Sequence, residues 1–281
     1  MLKQINNGRN PMKRYTACLL ALCMALLTGC GAKKTEPTEL IVFAAASMTE
    51  TLTELGERYM AENADVTISF NFESSGTLKS QIQEGADCDI FISAGQKQMN
   101  QLDSSADPAV NTEGLDFVQT DTRFDILENK VALAVPEGNP AGIQSYEDLK
   151  DGLESGSILL AMGNSDVPVG QYTGKILTWF GLEEQALADA GCITYGSNVK
   201  EVTTQVSEAA VDCGIIYATD AFSAGLTVVD TATAEMCGQV IYPAAVLKTA
   251  KHPEAAKAFL DYLTTEEADA VFEAVGFTPV G

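Results

Sequence analysis

Basic residues are scarce in this 281-residue chain. Lysine and arginine number 17 against 39 aspartate and glutamate residues, which gives a formal net charge of -22. Proteins that bind nucleic acids need clustered basic side chains to neutralise phosphates. The composition therefore argues against nucleic-acid binding, and at first sight it also argues against binding of a small anion.

Metal-ligating side chains are also few. The chain has one histidine, His252, and its cysteines do not have the spacing of a zinc site. Four cysteines lie beyond residue 30, and an oxidising compartment would allow three pairings between them. These four are Cys88, Cys192, Cys213 and Cys237. The sequence therefore predicts no cation site and leaves the disulfide state open.

The apolar run near the N-terminus, residues 17–27, is too short to cross a bilayer. It follows Lys13 and Arg14 and ends at Leu27-Thr28-Gly29-Cys30. This order is typical of a secretory leader, and its end resembles a bacterial lipoprotein signal. We therefore expect residues 1–29 to be a signal peptide and residues 30–38 a tether, with Cys30 carrying the lipid.

Residues 40–50 predict a buried strand that runs into a helix. Residues 40–43 are wholly apolar, as in a parallel strand that is covered on both faces. Ser47, with Glu50 three residues later, has the pattern of a capping box. Free N–H groups and the helix dipole attract anions at such a join. The alternative is that Ser47 only caps its helix.

The chain repeats this strand-to-helix join in both halves. Apolar or alternating strands are predicted at residues 66–72, 158–162, 192–195 and 214–217. Helix starts containing Ser, Pro or Asn follow the first three of these strands. Ligands of open parallel sheets lie beyond the carboxyl ends of the strands. Two such sheets facing one another would form a cleft lined by helix N-termini, which predicts an α/β protein.

These motifs resemble the molybdate-binding proteins of bacterial ABC importers. The similar stretches include Phe43-Ala44-Ala45-Ala46-Ser47, Ser74-Ser75-Gly76-Thr77-Leu78, Val167-Pro168-Val169-Gly170-Gln171-Tyr172 and Gly214-Ile215-Ile216-Tyr217. The resemblance implies a class II periplasmic binding protein fold, in which each of two lobes is a mainly parallel sheet flanked by helices. Two crossing strands, near residues 127–133 and 239–246, would join the lobes. The lobes are expected at residues 39–127 with 244–281, and at residues 128–243.

The resemblance also implies a set of neutral oxyanion-binding groups. These groups are the hydroxyl and amide of Ser47, the hydroxyl and amide of Ser75, the amides of Val169 and Val199, and the hydroxyl of Tyr217. Some members of the family carry serine where Gly76 stands, so one hydroxyl is missing here. Such a site is compatible with an acidic chain because local dipoles, rather than net charge, govern binding.

The implied function is capture of molybdate, and of tungstate, on the extracytoplasmic face of the membrane. The implied partners are an ABC permease and its ATPase subunits, with a lipid anchor in the membrane. The chain is expected to be a monomer, to need no cofactor and to have no catalytic residues. A receptor for sulfate or an organic anion stays open as the alternative, because pocket size is not readable from the sequence.

An enzyme on the same fold is a further alternative. Ser197-Asn198-Val199-Lys200 matches the Ser-x-x-Lys pattern of penicillin-recognising enzymes, but the companion Ser-Asp-Asn and Lys-Thr-Gly elements are absent. We therefore predict that Ser197 caps a helix and that Lys200 is solvated.

Overall fold

The computed structural model describes residues 37–280. The predictions for the signal peptide and for Cys30 lie outside these residues, as does most of the predicted tether. The first strand begins at Thr38, the last residue assigned to the tether. No helix of the described part is long and apolar enough to cross a membrane.

Strands and helices alternate along most of the chain. The strands are β1 (Thr38–Ala45), β2 (Val66–Glu73), β3 (Ile90–Ile92), β4 (Phe124–Asn129), β5 (Val131–Val135), β6 (Leu160–Gly163), β7 (Ile193–Gly196), β8 (Cys213–Tyr217), β9 (Thr227–Thr231), β10 (Val240–Val246) and β11 (Thr278–Pro279). The helices are α1 (Thr49–Glu62), α2 (Ser75–Gln83), α3 (Gln96–Leu102), α4 (Tyr146–Ser155), α5 (Pro168–Trp179), α6 (Glu184–Asp189), α7 (Val199–Ser207), α8 (Ala218–Ala224), α9 (Ala234–Cys237), α10 (Pro253–Tyr262) and α11 (Glu266–Ala274).

The strands form two sheets, and each sheet is mixed. The first has the order β11-β4-β10-β3-β1-β2, and the second has the order β7-β6-β8-β5-β9. Parallel pairs join β1 to β2 and β3, and join β6 to β7 and β8. The other pairs, around β10, β4 and β5, are antiparallel. The predicted two-lobed α/β class is confirmed. The sheets are mixed rather than mainly parallel, because β4, β5 and β10 run antiparallel to their neighbours.

The chain passes between the sheets at two places. β4 belongs to the first sheet and β5 to the second, and only Lys130 separates them. This passage falls inside the segment predicted for the first crossing. The return leads into β10, which pairs with β4 from Val240 onward. The limits predicted for the lobes stay a prediction.

Burial follows the position of each strand in its sheet. Every residue of the central strands β3 and β5 is buried, as expected when helices cover both faces. β2 lies at an edge of the first sheet, and its first half alternates between partly buried and exposed residues. The alternation predicted for residues 66–72 reflects this edge position. The four cysteines left open by the sequence are buried and free.

Candidate functional site

The five residues implied by the resemblance line one pocket between the two sheets. The space between its lining residues is about 200 Å³, part of which is open to solvent. Ser47 follows β1, Tyr217 ends β8, and the other three lie at the first turns of α2, α5 and α7. Each of these residues is at most 5% exposed: Ser47, Ser75, Val169, Val199 and Tyr217.

Local sequence fixes the three helix starts that reach the pocket. Ser74 caps α2 because its Oγ accepts from the Thr77 N–H at 3.1 Å. Asn198 caps α7 in the same way, with its Oδ1 accepting from the Glu201 N–H at 3.0 Å. α5 begins with Pro168, whose missing N–H costs nothing at the first helical position. The first amide that α5 can offer is therefore that of Val169.

Four backbone amides at the pocket have no acceptor. Between residues 37 and 280, nothing accepts a hydrogen bond from the N–H of Ser47, Ser75, Val169 or Val199. The first N–H groups of a helix lack intrahelical acceptors. A buried donor left unpaired costs about 1–3 kcal/mol and is rare in folded proteins. Four such donors around one pocket, three of them at helix N-termini, suit an anion.

The serine hydroxyls keep protons available for a ligand. Ser75 Oγ accepts from the Ala94 N–H at 2.9 Å, so its own proton is free. Ser47 Oγ lies 2.9 Å from the Tyr242 hydroxyl, which in turn accepts from Asn129 Nδ2 at 3.1 Å. Tyr242 can therefore donate to Ser47 Oγ, and the Ser47 proton then points elsewhere.

The Tyr217 hydroxyl is a neutral donor. Complete burial raises the pKa of Tyr217 well above its ordinary value, so the phenol stays protonated. Its contact with the Ala94 carbonyl is long, at 3.4 Å, and leaves the proton weakly held. Its ring packs edge-on against Tyr242 and Tyr172, with centroids 5.9 and 6.5 Å away. This packing fixes the direction of the hydroxyl.

A carboxylate that the sequence analysis missed also lines the pocket. Glu73 ends β2, directly before the Ser74-Ser75 pair, and this position was the signal available. Its Oε1 accepts from Asn198 Nδ2 at 2.9 Å, and its Oε2 accepts from the Ser74 N–H at 3.3 Å. These bonds place the negative charge of Glu73 beside the N-termini of α2 and α7, where the helix dipoles favour it. They also link the two sides of the pocket.

The capping box predicted from Ser47 and Glu50 is wrong. α1 begins at Thr49, and its N-cap, Met48, makes no side-chain capping bond. A short 3-10 turn, Ala46–Met48, stands between the strand and the helix and turns Ser47 towards Tyr242. Ser47 is therefore free to face the pocket instead of closing a helix.

The predictions for Ser197 and Lys200 are also wrong. Asn198, not Ser197, caps α7, and the Ser197 N–H donates to Glu201 Oε2 at 2.7 Å. Lys200 Nζ lies 2.8 Å from Glu50 Oε2 and 3.2 Å from Asp220 Oδ1. Lys200 thus links α7 to α1 across the two sides of the pocket.

Charge coupling keeps Lys200 cationic. Burial alone would lower its pKa, but the charges of Asp220 and Glu50 outweigh burial and raise it. Burial raises the pKa of Asp220 to about 6, although Lys200 acts in the opposite direction. A lysine held as a cation by two carboxylates is not available as the base that a Ser-x-x-Lys enzyme needs.

The two sides of the molecule meet closely at Gly76. A Cβ atom at this position would lie 2.1 Å from the carbonyl oxygen of Asp166, which is too close for any side chain. Gly76 belongs to α2 and Asp166 precedes α5. The backbone of one side of the cleft therefore approaches the backbone of the other at this glycine.

The described lining of the pocket contains no lysine, arginine or histidine. Between residues 37 and 280, no group of three or more His, Cys, Asp or Glu side chains could hold a metal ion. Two α/β lobes with buried neutral donors converging between them define a solute-binding protein.

The sequence comparisons give the family. The profile of the bacterial extracellular solute-binding protein family matches residues 40–278, and the chain belongs to this family. It is 33% identical over 273 residues to YvgL of Bacillus subtilis strain 168, and the match covers 95% of this chain and 98% of YvgL. YvgL is named provisionally as an ABC transporter substrate-binding lipoprotein. It is 30% identical over 274 residues to the molybdate-binding protein ModA of Haemophilus influenzae, with 95% and 99% covered.

A solved structure shows the same fold. The periplasmic molybdate-binding protein of Azotobacter vinelandii superposes with a TM-score of 0.72 at 21% identity, covering 86% of this chain and all of that one. The named relatives are solute-binding proteins, in agreement with the family to which this chain belongs.

Proposed function

We propose that this protein binds molybdate, and also tungstate, in the pocket between the lobes and delivers the ion to an ABC importer. The observation that carries the proposal is the set of unpaired, buried amides of Ser47, Ser75, Val169 and Val199. The similarity to ModA supports molybdate as the ion. The proposal assigns no catalytic role to any residue and no cofactor to the chain.

The chemistry of the donors suits a dianion without protons. Such an ion needs donors on all sides, and the pocket offers amides and hydroxyls that belong to both lobes. Hydrogen bonds to a charged group contribute about 1.5–3 kcal/mol each, so several together can offset dehydration of the ion. Three helix N-termini add favourable dipoles.

Binding energy from both lobes favours the closed form, because only that form supplies all the donors at once. Glu73, the one carboxylate in the described lining of the pocket, already accepts hydrogen bonds from Asn198 and Ser74. These bonds occupy both carboxylate oxygens and hold the side chain in place beside the helix N-termini.

Removing a single hydroxyl tests the donor set. We expect Tyr217→Phe, Ser47→Ala and Ser75→Ala each to weaken molybdate binding by about 1.5–3 kcal/mol, or roughly 10- to 150-fold. Val169→Ala keeps its amide and Ser197→Ala lies outside the pocket lining, so both serve as controls with little effect. Isothermal titration of the five variants measures the pattern. A Val169→Ala protein that binds worse than Tyr217→Phe, or loss of binding in Ser197→Ala, would contradict the assignment.

We further propose that Cys30 anchors the chain to the extracytoplasmic face of the membrane, where it serves a permease and its ATPase subunits as a monomer. The leader pattern before Cys30 and the lipoprotein name of YvgL support the anchor. We expect Cys30→Ala to move the protein from the membrane fraction to the soluble fraction, because a lipid chain needs the thiol. Retention of the variant in the membrane fraction would refute the anchor.

A further inference from the structure

Most lysine and arginine side chains between residues 37 and 280 have a carboxylate partner within 4.0 Å. Three lysines of the described chain form no such pair: Lys97, Lys130 and Lys175. All three are exposed. In a chain with a large excess of acid, such a lysine keeps a positive charge that no direct ion pair neutralises.

Two of these lysines line the same groove. Lys97 comes from α3 and Lys175 from α5, and the rest of the lining is neutral. The neutral lining consists of Gly95, Gln96, Gln98, Pro168, Gln171, Tyr172 and Gln239. Lys175 Nζ lies 3.2 Å from the Cys237 carbonyl and 5.2 Å from the centre of the Tyr172 ring, which orient it without neutralising it.

The groove adjoins the anion pocket. Pro168 lines both the groove and the pocket, and Gly95 in the groove follows Ala94 in the pocket. α3 follows β3 of the first sheet, and α5 follows β6 of the second sheet. The two lysines therefore line the groove from opposite lobes. A neighbouring pocket shares Lys97 and also contains the acidic residue Asp166, whereas Lys175 does not line that pocket.

We infer that this groove is an encounter site, where Lys97 and Lys175 attract the oxyanion before the lobes close on it. The identity of the ion rests on the proposed function. An acidic surface repels an anion in most directions, and a cleft with unneutralised positive charge raises its local concentration. The site would thus combine capture by charge at the entrance with retention by neutral donors inside.

Loss of either groove lysine should lower the association rate constant for molybdate and leave the dissociation rate constant unchanged. In water, a dianion about 10 Å from a lysine gains enough attraction to change its encounter rate by about 3-fold at low salt. We expect Lys97→Gln and Lys175→Gln each to lower the association rate constant for molybdate by about 2- to 3-fold at roughly 10 mM salt, and together by about 5- to 10-fold. At roughly 0.5 M salt the difference should disappear because the charges are screened. The dissociation rate constant should not change.

Lys130→Gln is the matched control, because Lys130 is also exposed and without a carboxylate partner but does not line the groove. Stopped-flow association of molybdate with the wild type and the variants, at both salt concentrations, measures the rates. Equal association rates for the groove variants and for Lys130→Gln would overturn the encounter site and leave the proposed function intact. A raised dissociation rate constant would also overturn it, because the lysines would then hold the bound ion. A wild-type protein that does not bind molybdate would overturn both proposals.

Discussion

Val199→Pro is expected to weaken molybdate binding by about 1.5–3 kcal/mol, roughly 10- to 150-fold, because proline has no backbone N–H to donate. Val199 is the first residue of α7, its amide has no acceptor among residues 37–280, and it lines the pocket. The substitution removes one backbone N–H donor, which replacement by any other residue would leave in place.

The fold should tolerate this proline. The first helical position accepts proline readily, and the preceding residue, Asn198, already has an extended backbone, with φ at -152° and ψ at 172°. α5 starts with a proline at the same position. The Asn198 side chain can still cap the helix because its partner is the Glu201 N–H.

Val199→Ala is the control for the lost side chain, since it keeps the amide and removes the buried isopropyl group. Isothermal titration gives the affinity of each variant, and urea unfolding without ligand gives its stability. Val199→Pro should lose affinity well beyond Val199→Ala while unfolding at a similar urea concentration. Equal affinities of the two variants would contradict an amide-based site at α7.

Gly76→Ala is expected to weaken binding by about 1–3 kcal/mol, roughly 5- to 150-fold, without lowering the stability of the ligand-free protein. A Cβ atom here would lie 2.1 Å from the Asp166 carbonyl oxygen, which belongs to the other side of the cleft. Overpacking of a tight contact costs about 1–3 kcal/mol. Opening of the cleft relieves this clash, so the cost falls on the closed form that binds the ion.

Gly174→Ala is the control for placing alanine in a helix, because its Cβ would meet only Glu184 Oε2, at an ordinary 3.5 Å. Titration with molybdate should separate the two variants, and urea unfolding should not. A Gly76→Ala protein with wild-type affinity would show that closure at Gly76 does not limit binding.

Local patterns predicted the strands and helix starts that build the pocket. Apolar or alternating runs followed by Ser, Asn or Pro marked the joins at β1, β2, β6 and β7, because a strand and a helix start each have a short-range signature. The resemblance supplied the choice of Ser47, Ser75, Val169, Val199 and Tyr217 from among many similar residues. The structure places these five around one pocket, and their role as ligands remains the proposal above.

Long-range partners were not predictable from these patterns. Ser47 contacts Tyr242, which lies 195 residues away, and this contact replaces the capping box expected from local spacing. Lys200 binds Glu50 from 150 residues away, although its local sequence indicated a solvated side chain. β9 was missed because it is an edge strand with exposed residues and no apolar run.

The central claim is that neutral donors between the lobes hold molybdate or tungstate as a dianion. Calorimetric titration of the protein with molybdate, tungstate and sulfate, each with and without a metal chelator, tests it most directly. The account predicts saturable binding of one molybdate or tungstate ion per chain, weaker binding of sulfate, and no effect of the chelator. Absence of molybdate binding, tighter binding of sulfate, or loss of binding with the chelator would contradict the account.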